Sequence, residues 1–221
     1  MELLRRGAAG SRRVALVAGA WNPLTRAHVA LGEVEGIRAD SRENPLTRAH
    51  VALAEAAREF APEVLLALPG VLPHKEFEET AFETRLGWLL KLAAGREWLG
   101  VAAGGSGLFV EFARGLRAAD PDVEQIFLVC GSDAAERFLN WDYTDGAGVE
   151  QQLREFTLLV APRGTPFTPP ERLRASVHRL DLAEGWQAVS STELLQRIKQ
   201  GEPWTHLAPE EIAAEIERAY R

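Results

Sequence analysis

The pattern that most narrows the fold is a set of short, uninterrupted apolar runs. VALVA at residues 14–18 ends at Gly19, and VLLAL at 64–68 ends at Pro69 and Gly70. IFLVC at 126–130 and FTLLVA at 156–161 have the same form. A strand with one wet face alternates apolar and polar residues, so runs without alternation belong to strands buried on both faces. Between them lie helical patterns at 52–60, 83–94, 109–119, 134–139 and 192–199. Strand and helix in alternation predict an α/β fold with a mainly parallel sheet. A last helix is expected from Pro209, with Ile212, Ile216 and Tyr220 one turn apart. Proline at its first position, and Glu210 and Glu211 in its first turn, suit the positive end of that helix. Its apolar stripe predicts a small helical C-terminal part, residues 190–221, docked on the body.

Glycine- and proline-rich loops fall at 69–73, 104–107, 145–148 and 162–170, and none is long enough for an inter-domain linker. The expectation is therefore one domain over residues 1–221. Composition bounds the rest. With 46% hydrophobic and 26% charged residues the chain has the make-up of a packed globular protein, which excludes a disordered one. Twenty-five Lys and Arg against 32 Asp and Glu give a net charge of −7, unsuited to non-specific nucleic-acid binding. Cys130 is the sole cysteine, so neither a disulfide framework nor a multi-cysteine zinc site is open to the chain. No stretch approaches the roughly 20 apolar residues of a membrane span. The first residues carry Arg5, Arg6, Arg12 and Arg13 without the apolar core of a signal peptide. A cytoplasmic protein without nucleic-acid or membrane partners is expected; association of copies of the chain is left open.

One feature is unusual. The decapeptide NPLTRAHVAL occupies residues 22–31 and, without a mismatch, residues 44–53. A solenoid repeats a drifting pattern several times. Here there are two copies, identical over ten residues and unrelated beyond them, as a tandem duplication produces. Excising 32–53 or 22–43 leaves the same sequence, HVALAEAAREF, an amphipathic helix. Residues 32–53 are taken as the duplicated insertion, because the first copy follows the first strand directly. A helix is expected from near Thr25 or Arg26. In open parallel sheets ligands lie at the carboxyl ends of strands, where the next helix aims its first N–H groups at phosphate. A histidine one turn into such a helix donates to phosphate oxygens.

The segment GAWNPLTRAH, from Gly19 to His28, resembles the G-x-F-[DN]-P-x-[HT]-x-G-H signature of the nucleotidyltransferase superfamily. Three later segments resemble its nicotinate-nucleotide (nicotinamide-nucleotide) adenylyltransferase branch. Pro73, His74 and Lys75 follow the second strand; Gly131, Ser132 and Asp133 follow IFLVC, with Trp141 eight residues after Asp133. Val189, Ser190, Ser191 and Thr192 open a late helix and resemble I-S-S-T-x-x-R. The segments keep family order and spacing once 22 residues are removed, and they span nearly the whole chain.

The resemblance implies a Rossmann-like sheet and adenylyl transfer from ATP to nicotinate or nicotinamide mononucleotide in NAD biosynthesis. A mononucleotide phosphate attacks the α-phosphorus and pyrophosphate leaves. That nucleophile is already anionic at neutral pH, so positioning and charge neutralisation carry the reaction. By the resemblance, His28 contacts the α- and β-phosphates and Thr25 stands for the family's first histidine. Gly19, Ala20, Trp21 and Asn22 form the ATP turn with Gly131, while Asp133 binds a ribose hydroxyl or helps order the metal. Ser190, Ser191 and Thr192 offer donors to the ATP phosphates. Lys75 supplies charge to a phosphate, and Trp141 lies by the pyridine ring, where stacking is worth about 1 kcal/mol. Mg²⁺ arrives with the triphosphate, with few protein ligands.

Each segment also has a plainer reading: a helix cap for Ser190 to Glu193, a solvated pair for His74 and Lys75, core packing for Trp141. The departures from the family are specific. Ala27 stands where the family has glycine, and Leu195 where it has arginine, with Arg197 about 200° further round the helix. The family's S-Y-T substrate segment is replaced by GGSGLF at 104–109, in which Ser106 is the one replacement donor. These departures keep two alternatives open: transfer to a different phosphorylated acceptor, and a catalytically impaired nucleotide-binding homologue. The second decapeptide is expected to form a longer helix or a surface excursion with His50 idle, although it leads into the better helix.

Overall fold

A run that is apolar on both faces is satisfied only between two layers of helix, and the sheet is built around four such runs. The computed structural model describes residues 1–8, 10–19, 47–70, 82–105, 107–141, 148–162, 167–182 and 191–220. The four runs become β2 (Arg13–Ala18), β3 (Glu63–Leu68), β5 (Gln125–Gly131) and β6 (Thr157–Ala161). Three strands that the apolar runs did not announce join them: β1 (Glu2–Arg5), β4 (Leu99–Ala103) and β7 (Val177–Arg179). The order is β1-β4-β3-β2-β5-β6-β7. Every neighbouring pair is parallel except β1 with β4.

Helices α1 (Arg48–Ala57), α2 (Phe82–Ala94), α3 (Phe109–Ala119) and α4 (Ser132–Leu139) alternate with the strands; α5 (Val149–Gln152), α6 (Ser191–Gln200) and α7 (Ala213–Tyr220) follow. Successive strand residues serve opposite faces. Ala15, Val17, Val64 and Leu66 pack in one layer with α1, α2, α6 and the C-terminal segment. Val14, Leu16, Leu65 and Ala67 pack in the other with α3, α4 and α5. This is a Rossmann-like α/β fold. No helix among the described residues is long and apolar enough to cross a membrane.

Of the two forms expected for the second decapeptide, a longer helix or a surface excursion, its described residues take the helix. Its residues 48–53 begin α1, which docks Ala49, Leu53, Ala54 and Ala57 into the core beside β2 and β3. The continuation AEAA supplies small residues where the helix meets the sheet, as the better helical continuation of this copy suggests. The helix therefore starts at Arg48, inside the repeat, and not at residue 52. The first decapeptide, residues 22–31, lies outside the described residues.

The C-terminal part belongs to the core. Ile212 and Ile216 are fully buried. Lys91 pairs with Glu215 at 2.6 Å, Arg96 with Glu211 at 2.7 Å, and Trp88 packs on Tyr220 with ring centroids 6.2 Å apart. Pro209 caps a 3-10 turn (Glu210–Ile212) ahead of α7 and so does not itself open the helix. At the amino end of β3 the fully buried Glu63 accepts from Arg6 Nε and from the Gly7 N–H, both at 2.8 Å, and Arg6 also pairs with Asp120. A carboxylate without water needs these donors, and they pin β1 to the sheet.

Candidate active site

The strand order defines where a ligand fits. From β2 the chain runs through β3 to β4 on one side, then returns to β5 and proceeds to β7 on the other. The crevice of such a sheet opens at the carboxyl ends of the two strands flanking the reversal, here β2 and β5. Val17 stands opposite Val129, so Gly19 and Gly131, each two residues further on, come level at that crevice. The Gly19 N–H donates to the Ala67 carbonyl at 3.2 Å and extends the ladder past the end of β2.

Gly131 passes directly into α4 as its N-cap, with φ −80° and ψ 166° and no side-chain cap. The backbone there is extended, a conformation open to any residue. The amino end of α4, the positive end of its dipole, thus stands at the carboxyl end of β5. Asp133, in that first turn, is exposed, whereas Ser132 beside it is buried. Trp141 is half-buried beyond the other end of α4, about 12 Å away along an eight-residue helix. The structure thus brings Gly19 and Gly131 level at the crevice, with Asp133 in the first turn of α4 and Trp141 following the last turn.

A second helix N-terminus faces the same edge. The β2–α1–β3 unit is a parallel crossover, so α1 runs back against the strands and starts at their carboxyl ends. Thr47 is its N-cap. The Thr47 N–H donates to His50 Nδ1 at 3.1 Å, and Thr47 Oγ1 lies 3.0 Å from the same nitrogen. Arg48 Nε donates to the Ala208 carbonyl at 3.0 Å, binding the start of α1 to the C-terminal segment.

Ala20, Trp21, Asn22, Thr25, His28, Lys75, Ser106 and Ser190 lie outside the described residues. So do the side chains of Ser191 and Thr192, whose backbone opens α6. Further along α6 the departure from the family motif has a structural meaning. Leu195 is 4% exposed and packs in the core with Leu194 and Ile198. Arg197 is engaged elsewhere: its Nε donates to Glu193 at 3.0 Å and its Nη1 to the Pro203 carbonyl at 3.3 Å. It does not replace a phosphate-binding arginine at 195.

The sequence reading missed the backbone contact between the ends of β3 and β4. Gly104 N–H donates to the Leu68 carbonyl at 2.9 Å, and Gly70 N–H to the Gly105 carbonyl at 3.1 Å. A Cβ on Gly70 would lie 3.2 Å from Gly104 Cα, and Gly104 and Gly105 hold φ of +107° and +85°. Gly104 and Gly105 therefore serve a close approach of two loops, and a run of glycines after an apolar strand was its signal.

Among the described residues no three His, Cys, Asp or Glu side chains gather as a metal site. A shallow hollow of about 570 Å³ lined by Arg5, Gly7, Arg58 and Trp98 sits at the amino end of β4, away from the crevice. Cys130, one residue before Gly131, is buried, and that burial pushes its thiol up to about 12. Since only the thiolate reacts, alkylation of native protein at pH 8 is expected to be about 1,000-fold slower than after denaturation. Rapid labelling of the native thiol by iodoacetamide would contradict the placement.

No family model and no curated protein matches the chain in sequence. Solved structures do match in shape. Plasmodium falciparum nicotinic acid mononucleotide adenylyltransferase complexed with NaAD superposes with a TM-score of 0.61 at 12% identity, covering 95% of this chain and 98% of that one. The same enzyme complexed with APC gives 0.61 at 11% identity over the same shares. The likeness extends over nearly the full length of both chains, and it shows the fold.

Proposed function

We propose that the chain is a nucleotidyltransferase that moves the adenylyl group of ATP to nicotinate or nicotinamide mononucleotide, forming the dinucleotide and releasing pyrophosphate. The observation that carries this reading is the crevice between β2 and β5, where Gly19 and Gly131 stand level and α4 presents its N-terminus. The motif segments and the likeness in fold to an adenylyltransferase support it from independent directions.

A phosphate oxygen of the acceptor forms a bond to the α-phosphorus of ATP. The bond from that phosphorus to the oxygen bridging to the β-phosphate breaks, and its electrons leave with pyrophosphate. No proton needs to be removed from the nucleophile. The protein's task is to hold two anions in line and to stabilise the charge on the equatorial and leaving oxygens, which helix N-termini do without reorganising. Asp133, exposed in the first turn of α4, suits a ribose hydroxyl as acceptor. Mg²⁺ would enter bound to the triphosphate, as part of the substrate.

Leu195 in the core and Arg197 tied to Glu193 favour a second reading, a nucleotide-binding homologue with impaired turnover. One screen separates the readings. Pyrophosphate release is measured with ATP or CTP against nicotinate mononucleotide, nicotinamide mononucleotide and other phosphorylated acceptors. Release with ATP and a pyridine mononucleotide is the expected result. Release only with another acceptor redirects the specificity, and ATP binding by calorimetry without any release establishes the impaired homologue.

A further inference from the structure

Two identical decapeptides compete for one place beside β2, and the residues beyond them decide which holds it. Thr47, Arg48, Ala49, His50, Ala52 and Leu53 each have an identical counterpart 22 residues earlier, so nothing within the repeat discriminates. After Leu53 the second copy continues with Ala54, Ala57 and Phe60; the first continues with Gly32, Glu35 and Arg38. Ala54 and Ala57 are fully buried, and Phe60 packs on Phe127 with ring centroids 5.8 Å apart. In the same place the first copy would put a glycine in mid-helix, a carboxylate in the core and a guanidinium against Phe127.

The docked copy also holds its histidine in a defined place. His50 Nδ1 accepts from the Thr47 N–H, and a ring nitrogen that accepts carries no proton. With Nδ1 turned to the Thr47 cap, the ring is fixed at the start of α1, at the carboxyl edge of the sheet. The connection agrees as well. Without residues 22–43, Gly19 would be joined to the Thr47 cap by five residues, within the roughly 2–6 common for such turns.

We propose that residues 44–53 are the working copy of the motif, that His50 rather than His28 is the histidine presented beside β2, and that residues 22–43 are an insertion the fold and site can lose. The chemistry of His50 rests on the adenylyl-transfer reading; the docking and the dispensability do not. The shortened chain lacking 22–43 is expected to melt within about 3 °C of the full chain and to keep its turnover within about threefold. A shortened chain that fails to fold, or folds without activity, overturns the proposal. In the full chain His50→Ala is expected to lower kcat/KM for ATP at least 100-fold while shifting the melting temperature by no more than about 5 °C. Retained turnover in that variant overturns it equally. Cysteine labelling reads the docking without any assay of activity, because Cys130 is buried and inert. Ala49→Cys, at a position 3% exposed, is expected to react at least 100-fold more slowly than Ala27→Cys. Equal or reversed rates overturn the proposal. If the parent chain releases pyrophosphate with no acceptor, the adenylyl-transfer reading falls, while labelling and the shortened chain still decide which copy is docked.

Discussion

Ala57→Glu, which installs at the docked helix the residue that the first copy carries in the equivalent position, is expected to cost about 3–5 kcal/mol of stability. Ala57 is 0% exposed in the core layer that α1 shares with Ala15, Val17 and Leu66. A carboxylate placed there gives up its hydration, and the residues around it in that layer are apolar. Total stabilities of about 5–15 kcal/mol make this a large fraction of what holds the chain folded. The pH dependence has a definite sign. Burial raises the pKa of the new carboxyl above its value of about 4.3 in the unfolded chain, so the unfolded state binds fewer protons at neutral pH. The deficit is therefore larger at pH 7 than at pH 5 and shrinks as the pH falls from the raised folded value towards about 4. Urea melts of the variant and its parent at pH 7 and at pH 5 measure both points. A variant as stable as the parent at pH 7 would show that α1 does not pack against the sheet at this residue.

Leu195→Arg, which installs the arginine of the motif that residues 189–192 resemble, is expected to destabilise the protein and not to raise its turnover. Leu195 is 4% exposed and packs in the same layer as Ile198 and Trp204. Removing its burial forfeits about 2 kcal/mol, and an unpaired buried guanidinium adds a penalty of several more. Arginine stays protonated throughout the accessible pH range, so this variant, unlike Ala57→Glu, recovers nothing on titration. A fall in melting temperature of roughly 10 °C or more follows from the usual scaling for a chain of this size. A Leu195→Arg protein with unchanged melting and increased pyrophosphate release would place position 195 at the ligand and not in the core.

How much of this was legible in the sequence depends on the kind of signal. β2, β3, β5 and β6 announced themselves because burial on both faces removes every polar residue from the run. β4, LGVAA, did not, because its second residue, Gly100, is small for a tertiary reason: a Cβ there would lie 2.5 Å from the Arg5 carbonyl oxygen and 2.4 Å from Leu65. Nothing local to residues 99–103 tells of a crossing by residues 5–7. Gly19 and Gly131 fall at the carboxyl ends of β2 and β5, with Asp133 just beyond, because each closes or follows one of those apolar runs. The docking of α1 could not be read from the segment that precedes each copy, since residues 19–21 lead smoothly into the first one. It is decided by the side chains after the repeat, at Ala57 against Glu35, and these gain meaning only when the sheet face is known.

The strand β1 has a consequence for the life of the chain before and after folding. It is four residues long, carries Glu2 and Arg5, and slips register between Leu3 and Arg5 where it pairs with β4. At the far side β7 is only three residues, VHR. Both borders of the sheet are thus short, charged or irregular, and offer a poor template for a strand from another molecule. Without β1 the border would be β4, five buried residues with no charge among them, which is the kind of edge that nucleates aggregation. Residues 2–5 thus cover an edge that would otherwise be open to a strand from another molecule.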